Sequence, residues 1–160
     1  MEKTNTQWLR FYGNNNTRDL AGLRSKDGRV IPAGRLIRSG AITHINSRSA
    51  RILKDKYGVQ CLIDLRTDGE RKRCPPPEIE GIKTLHIPVL QNAMLGITED
   101  ENSTAEKIKE IMNAGLSEKE FMARVYVDII TDKHAITAFR FLFGELLARE
   151  SGATIYFCSH

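Results

Sequence analysis

Thr154-Ile155-Tyr156-Phe157-Cys158-Ser159-His160 is the stretch whose reading decides the fold. A short β-branched and aromatic run predicts a buried strand, Ala153 to Cys158, and that strand ends on a thiol. A cysteine at the C-terminal tip of a buried strand lies where open α/β sheets place their chemistry. The competing reading is a core cysteine, since free Cys is among the most buried residue types. The residues upstream bear on the choice.

Working outward, Ser151-Gly152 turns the chain into this strand from a helix expected over His134 to Glu150. Ile136, Phe139, Leu142, Phe143, Leu146 and Leu147 give that helix a broad apolar face, so it is expected to be deeply packed. Ser117 with Glu120 forms a capping-box pattern ahead of a stripe of Phe121, Met122, Val125, Tyr126, Ile129 and Ile130. Ser103 with Glu106 repeats it before Ile108, Ile111 and Met112, and Gly115 closes that helix. The aromatic residues of these helices read as core. Residues 91–103 show no period and carry Glu99-Asp100-Glu101, which predicts a surface loop that is a candidate lid.

Farther back, Gly81 to Val89 alternates as a strand, and the charged segment Asp68 to Pro77 reads as a stiff connection. Val59 to Arg66 is nearly continuous in apolar residues, the pattern of a strand covered on both faces. Asp64 and Arg66 at its end therefore need partners or a ligand. Asn46 caps a helix carrying Ala50, Leu53 and Tyr57 and stopped by Gly58. Arg35 to Ser39 alternates as a half-buried strand, Lys26-Asp27-Gly28-Arg29 is a turn signal, and residues 13–19 read as a polar loop. The whole is an α/β pattern with a mostly parallel central sheet flanked by helices, one domain over residues 1–160.

Composition narrows the class. With 160 residues, 41% apolar and 28% charged, the chain can bury a sizeable core. No window approaches the ~18 apolar residues of a membrane span, and the polar N-terminus carries no secretory signal. Cys61, Cys74 and Cys158 form an odd set without metal-ligand spacing, which argues against a disulfide framework and a zinc site and fits a reducing cytoplasm. Residues 1–83 hold 17 Lys/Arg against 9 Asp/Glu, whereas residues 84–160 hold 7 against 11. A basic half can attract an anionic ligand. Its basic residues are not interleaved with aromatics, which argues against nucleic acid as the partner.

Three motifs occur in order: Asn16-Thr17-Arg18-Asp19-Leu20-Ala21-Gly22-Leu23, then Gly34-Arg35-Leu36-Ile37-Arg38-Ser39-Gly40-Ala41, then Ile63-Asp64-Leu65-Arg66 followed by Glu70. Together with the strand-end cysteine they resemble the bacterial protein-tyrosine/serine phosphatase family. Its pattern runs N-F-R-D-L-G-G, R-L-x-R-S, I-D-L-R-x-x-x-E and H-C-x-x-G-K-D-R-T-G. The resemblance covers roughly residues 8 to 160. Thr17 stands where the family has Phe, and Phe157 where it has the His before the nucleophile. His160 falls inside the phosphatase loop, so the resemblance implies an incomplete domain lacking the loop arginine and the helices behind it. The apolar residues of strands 59–65 and 153–158 are then expected to lie exposed.

The resemblance implies a fold like that of dual-specificity phosphatases and a cysteine-dependent hydrolysis of phosphotyrosine or, more broadly, of phosphomonoesters, without metal or cofactor. Cys158 would be the nucleophile, attacking phosphorus to give a phosphocysteine, while Ser159 and His160 would contribute phosphate-binding backbone amides. Asp64 and Arg66 would brace the loop through a mutual or loop-directed salt bridge, and Arg18 and Asp19 would support the floor of the site. The leaving-group acid would lie beyond His160. The substrate would be a phosphorylated protein or a small phosphate ester. The 160-residue polypeptide itself is expected to be inactive, the alternative being a catalytically dead phosphatase-like binding domain. His86 and His134 read as structural, Cys61 as core and Cys74 as a loop thiol.

Overall fold

A computed structural model describes residues 7–13, 16–90, 115 and 117–158. The proposed lid of residues 91–103, the helix expected after Ser103, and both Ser159 and His160 lie outside the described residues.

Among the described residues five strands form one sheet: β1 (Arg18–Asp19), β2 (Leu36–Ser39), β3 (Val59–Asp64), β4 (Lys83–His86) and β5 (Ala153–Phe157). Their order is β1-β2-β5-β3-β4, with β1 antiparallel at one edge and the other four parallel. The α/β architecture is thus the expected one. Its last strand is inserted at the centre, between β2 and β3. That position follows from side-chain chemistry. Ala153, Ile155 and Phe157 point to one apolar layer, and Tyr156 to the other, so β5 needs cover on both faces.

Residues 13–19 are not wholly a loop, because Arg18 and Asp19 pair with Arg38 and Ile37 of β2. Asn46 caps α1 (Ser47–Arg51) by accepting from the Ser49 N–H at 2.9 Å. The helix then widens through a π-type turn, Ile52–Lys56, and ends at Gly58, whose φ of +61° an L side chain rarely adopts. The charged connection after β3 also differs from expectation: Asp68–Arg73 is a helix, α2. Thr67 and Glu70 close a reciprocal capping box at its start. That signal is in the sequence, but the charge density and the prolines behind it mask it.

Two long helices precede β5, α3 (Glu118–Thr131) and α4 (Lys133–Leu147). Asp132 caps α4 by accepting from the His134 and Ala135 N–H groups, and its Ala135, Ala138 and Leu142 lie against Cys61 and Ile63 of β3. On the opposite face Leu9, Ile42, Leu53 and Ile82 cover Ile37, Leu62, Ile155 and Phe157.

Both central strands are consequently buried, and the expected exposed patch on strands 59–65 and 153–158 is absent: Leu62, Ile63, Ile155 and Phe157 are each at most 0% exposed. The layer holding α4 and the layer holding α1 already close the two faces. Open apolar surface lies instead on the outer sides of α3 and α4, at Tyr126, Val127, Ile130, Phe141, Phe143 and Leu147. This corrects the reading of the helices' aromatic residues as core, since Tyr126 and Phe143 are exposed, and of the whole apolar face of α4 as deeply packed. Periodicity marked a broad apolar stripe on α4, but the narrow line of two alanines and a leucine is what fits closely against the sheet. Phe143 and Leu147 are rotated away from it.

Candidate active site

Cys158 immediately follows β5 and carries a free, partly exposed thiol. Its backbone is held by the neighbouring strand: the Leu65 N–H donates to the Phe157 carbonyl at 2.9 Å, one residue before the thiol. The residue borders a cavity of about 170 Å³ shared with Leu65, Arg66, Thr67, Glu70, Val89, Leu90, Ile129 and Phe139. A larger open depression of about 1020 Å³ runs over Asp68 to Thr84 and shares no residue with it. The small cavity is the chemically equipped one, because it joins a thiol to a guanidinium.

That guanidinium is locked from behind. Arg66 donates through Nε to Asp64 Oδ1 at 2.9 Å and through Nη2 to Oδ2 at 2.8 Å, and its backbone N–H reaches Oδ1 at 3.1 Å. Both side chains are buried, at 3% and 0% exposure. The two-residue spacing explains the geometry. Asp64 ends β3, the chain turns, and Arg66 folds back in a fork that matches the carboxylate. The hydrogen bonds it donates to Asp64 hold the Arg66 guanidinium even above its ordinary high pKa, so it stays charged.

The same guanidinium lies 5.4 Å from the centre of the Phe157 ring. Phe157, in the place of the family histidine, is thus fully buried beneath a cation adjoining the thiol. Thr17, the other departure from the family pattern, is buried and shares a 2.7 Å hydrogen bond with the Ser39 hydroxyl at the end of β2.

Around this pair the second turn is stiffened. Glu70 Oε2 accepts from both the N–H and the hydroxyl of Thr67 at 2.9 Å, placing two further polar residues in the cavity wall. Thr67 is a wall residue that sequence reasoning missed; the Thr-x-x-Glu capping box was the signal that could have found it. His86 Nε2 sits 2.9 Å from the Arg66 carbonyl and Nδ1 3.5 Å from the Asp68 carboxylate. His134 Nε2 is 2.8 Å from the Pro88 carbonyl. Both histidines tie backbone segments, as expected of structural residues. Among the described residues no three His, Cys, Asp or Glu side chains converge to hold a metal ion.

Arg18 and Asp19 are placed apart from each other. Asp19 is buried and accepts from the Ala21 N–H at 3.0 Å and the Gly34 N–H at 2.7 Å, holding the loop between β1 and β2. Arg18 points to the other side of β1, 5.2 Å from the Trp8 ring centre, and donates to Asn16 Oδ1 at 2.9 Å. The structure therefore joins Cys158 to Arg66, with Asp64 behind it, and leaves Asp19 outside the cavity wall.

Two weak acids, the buried Cys61 and the half-buried Tyr156, carry a pH prediction. Burial pushes the Cys61 thiol up, and burial likewise raises Tyr156, against the opposing pull of Arg38 and Arg18. Each group holds its proton more tightly in the folded chain than in the unfolded one. Their contribution to stability is then complete below the unfolded values, about 9 for a thiol and about 10 for a phenol, and is lost as pH rises through the folded values. Urea midpoints are expected to stay level near neutrality and to fall above pH ~9, with a shallower fall in Cys61→Val and Tyr156→Phe. Equal slopes in all three proteins would refute this.

A family model described as the tyrosine phosphatase family matches residues 9–160. No curated protein matches the chain.

Proposed function

The chain belongs to the tyrosine phosphatase family, and from that premise we propose that it is a cysteine-dependent phosphatase acting on phosphotyrosine through a phosphocysteine intermediate. The observation that carries this reading is the Cys158 thiol at the tip of the central strand, opening on a cavity walled by Arg66. In the first step the Cys158 thiolate forms an S–P bond while the ester P–O bond breaks, and the aryl oxygen takes a proton from a general acid and leaves as the phenol. In the second, water attacks phosphorus, the S–P bond breaks, and inorganic phosphate departs as the thiolate returns.

The Leu65 hydrogen bond and the buried Phe157 fix where Cys158 stands. Arg66 positions rather than clamps, because its charge is already balanced by Asp64 at 2.8 Å. A phosphoryl group spreads charge over three oxygens and needs an uncompensated bidentate donor. In the pattern the chain resembles, that donor is an arginine six residues after the cysteine, and it is not among residues 1–160. Ser159 and His160 would begin the loop of backbone amides around the phosphate. A nucleophilic thiol must also stay reduced, in keeping with a cytoplasmic protein whose three cysteines are all free.

Residues 1–160 expressed alone are expected to show no turnover of an aryl phosphate. The same residues continued by the Gly-Lys-Asp-Arg part of the loop and a following helix are expected to hydrolyse it. Cys158-dependent hydrolysis by residues 1–160 alone would remove the need for the clamp. A native continuation without that arginine would defeat the assignment and leave a binding domain.

A further inference from the structure

One row of side chains across the sheet is not used by the chemistry above. Trp8 bridges to Arg18, Arg18 pairs with Arg38, Arg38 with Tyr156, and Tyr156 with Ile63. Residues paired directly across strands share a face, and this face is the one on which Tyr156 and Ile63 meet the α4 layer. Cys158 lies two residues beyond Tyr156, about 7 Å along the strand, and neighbouring strands are about 4.8 Å apart. The backbone of Arg38 is thus roughly 8 Å from that of Cys158, within reach of its guanidinium. Tyr156 feels both arginines and Cys158 electrostatically, which is consistent with this closeness.

Two like charges directly opposite on a strand pair are destabilising. Surface arginines usually avoid the cost by pointing into water or onto a carboxylate. Here both are half-buried, and no carboxylate forms an ion pair with either among the described residues. The Arg18 Nε is buried and has no hydrogen-bond partner among them. Asp19, the nearest acid in sequence, is already held by two backbone N–H groups. The Arg18 guanidinium is held by Asn16 and the Trp8 ring, which leave its charge in place. Two cationic side chains side by side, with no carboxylate paired to either among the described residues, are a site for an anion.

Resting on the phosphatase reading, we infer that Arg18 and Arg38 form a second anion subsite that receives another phosphate on the same small substrate molecule, about one aromatic ring from the phosphate that reacts. The row would select bis-phosphorylated esters over mono-phosphorylated ones.

The test compares phenyl phosphate with 1,3-phenylene bisphosphate in the active protein and in Arg38→Gln and Arg38→Lys, with circular dichroism confirming the fold of each. The wild type is expected to favour the bisphosphate in kcat/KM by ~10-fold, the scale of one charge-assisted hydrogen bond. Arg38→Gln is expected to raise KM for the bisphosphate several-fold more than for the monophosphate, and Arg38→Lys to recover part of the difference. No wild-type preference, or equal losses on both substrates, overturns the subsite. If neither ester is hydrolysed by the wild type, the phosphatase reading itself fails. Calorimetric titration with inorganic pyrophosphate then decides: weaker binding to Arg38→Gln upholds the anion subsite, and equal binding overturns it.

Discussion

Cys158→Ser is expected to lower aryl-phosphate turnover by the active phosphatase at least ~10³-fold, the scale of losing a catalytic nucleophile. The change is nearly isosteric, and the residue lies at the open end of β5, where it is only partly buried. Folding should therefore be preserved while the chemistry is lost. A serine hydroxyl is not ionised near neutral pH, whereas a thiol reacts as its thiolate. Acid quenching during turnover should trap a phosphoenzyme in the wild type and none in Cys158→Ser. The other two thiols are internal controls. Cys61 is buried in the sheet and Cys74 is an exposed loop residue, so Cys61→Val and Cys74→Ser should each retain turnover. Full activity in Cys158→Ser, or its loss in Cys74→Ser, would sink the assignment.

The largest effect on stability is expected at Asp64. Asp64→Ala strands the Arg66 guanidinium, 3% exposed, without its carboxylate. Breaking a buried pair from one side costs about 3–5 kcal/mol, because the remaining charge is neither solvated nor neutralised. Against the ~5–15 kcal/mol of a typical domain this is a large fraction, and the urea midpoint should fall accordingly. Replacing both partners, as in Asp64→Leu with Arg66→Met, should recover most of the loss, since the desolvation cost of both charges disappears. The pair should also persist across the alkaline range. Arg66 is held above its ordinary value, so its contribution is present below that range and is lost only as pH rises through the still higher folded value. A loss under ~1 kcal/mol in Asp64→Ala would show that water reaches the pair.

The two expectations meet at Phe157. Its ring lies under the Arg66 guanidinium and its carbonyl accepts from Leu65, so disorder at Arg66 should move the strand end that presents Cys158. Asp64→Asn, which keeps one acceptor, is expected to fold more stably than Asp64→Ala and still lose turnover through this displacement.

Much of this was legible in the chain. The apolar continuity of Val59–Leu65 and Ala153–Phe157 required central strands, because only a sheet covered on both faces accommodates such runs. Asn46 and Gly58 bracketed the first helical segment, and a cysteine after β5 marked where chemistry could sit. The charges of Asp64 and Arg66 in an apolar segment demanded a partner. Tertiary structure alone decided that the partner of each is the other, since a turn geometry that folds Arg66 back onto Asp64 leaves no trace in residue type. It decided which side of α4 packs, because Phe143 and Leu142 are equally apolar and only the close fit of Ala135 and Ala138 to the sheet distinguishes them. It also decided that Arg18 and Arg38, twenty positions apart in sequence, stand side by side: strand register brings them together, and register is a property of the folded sheet.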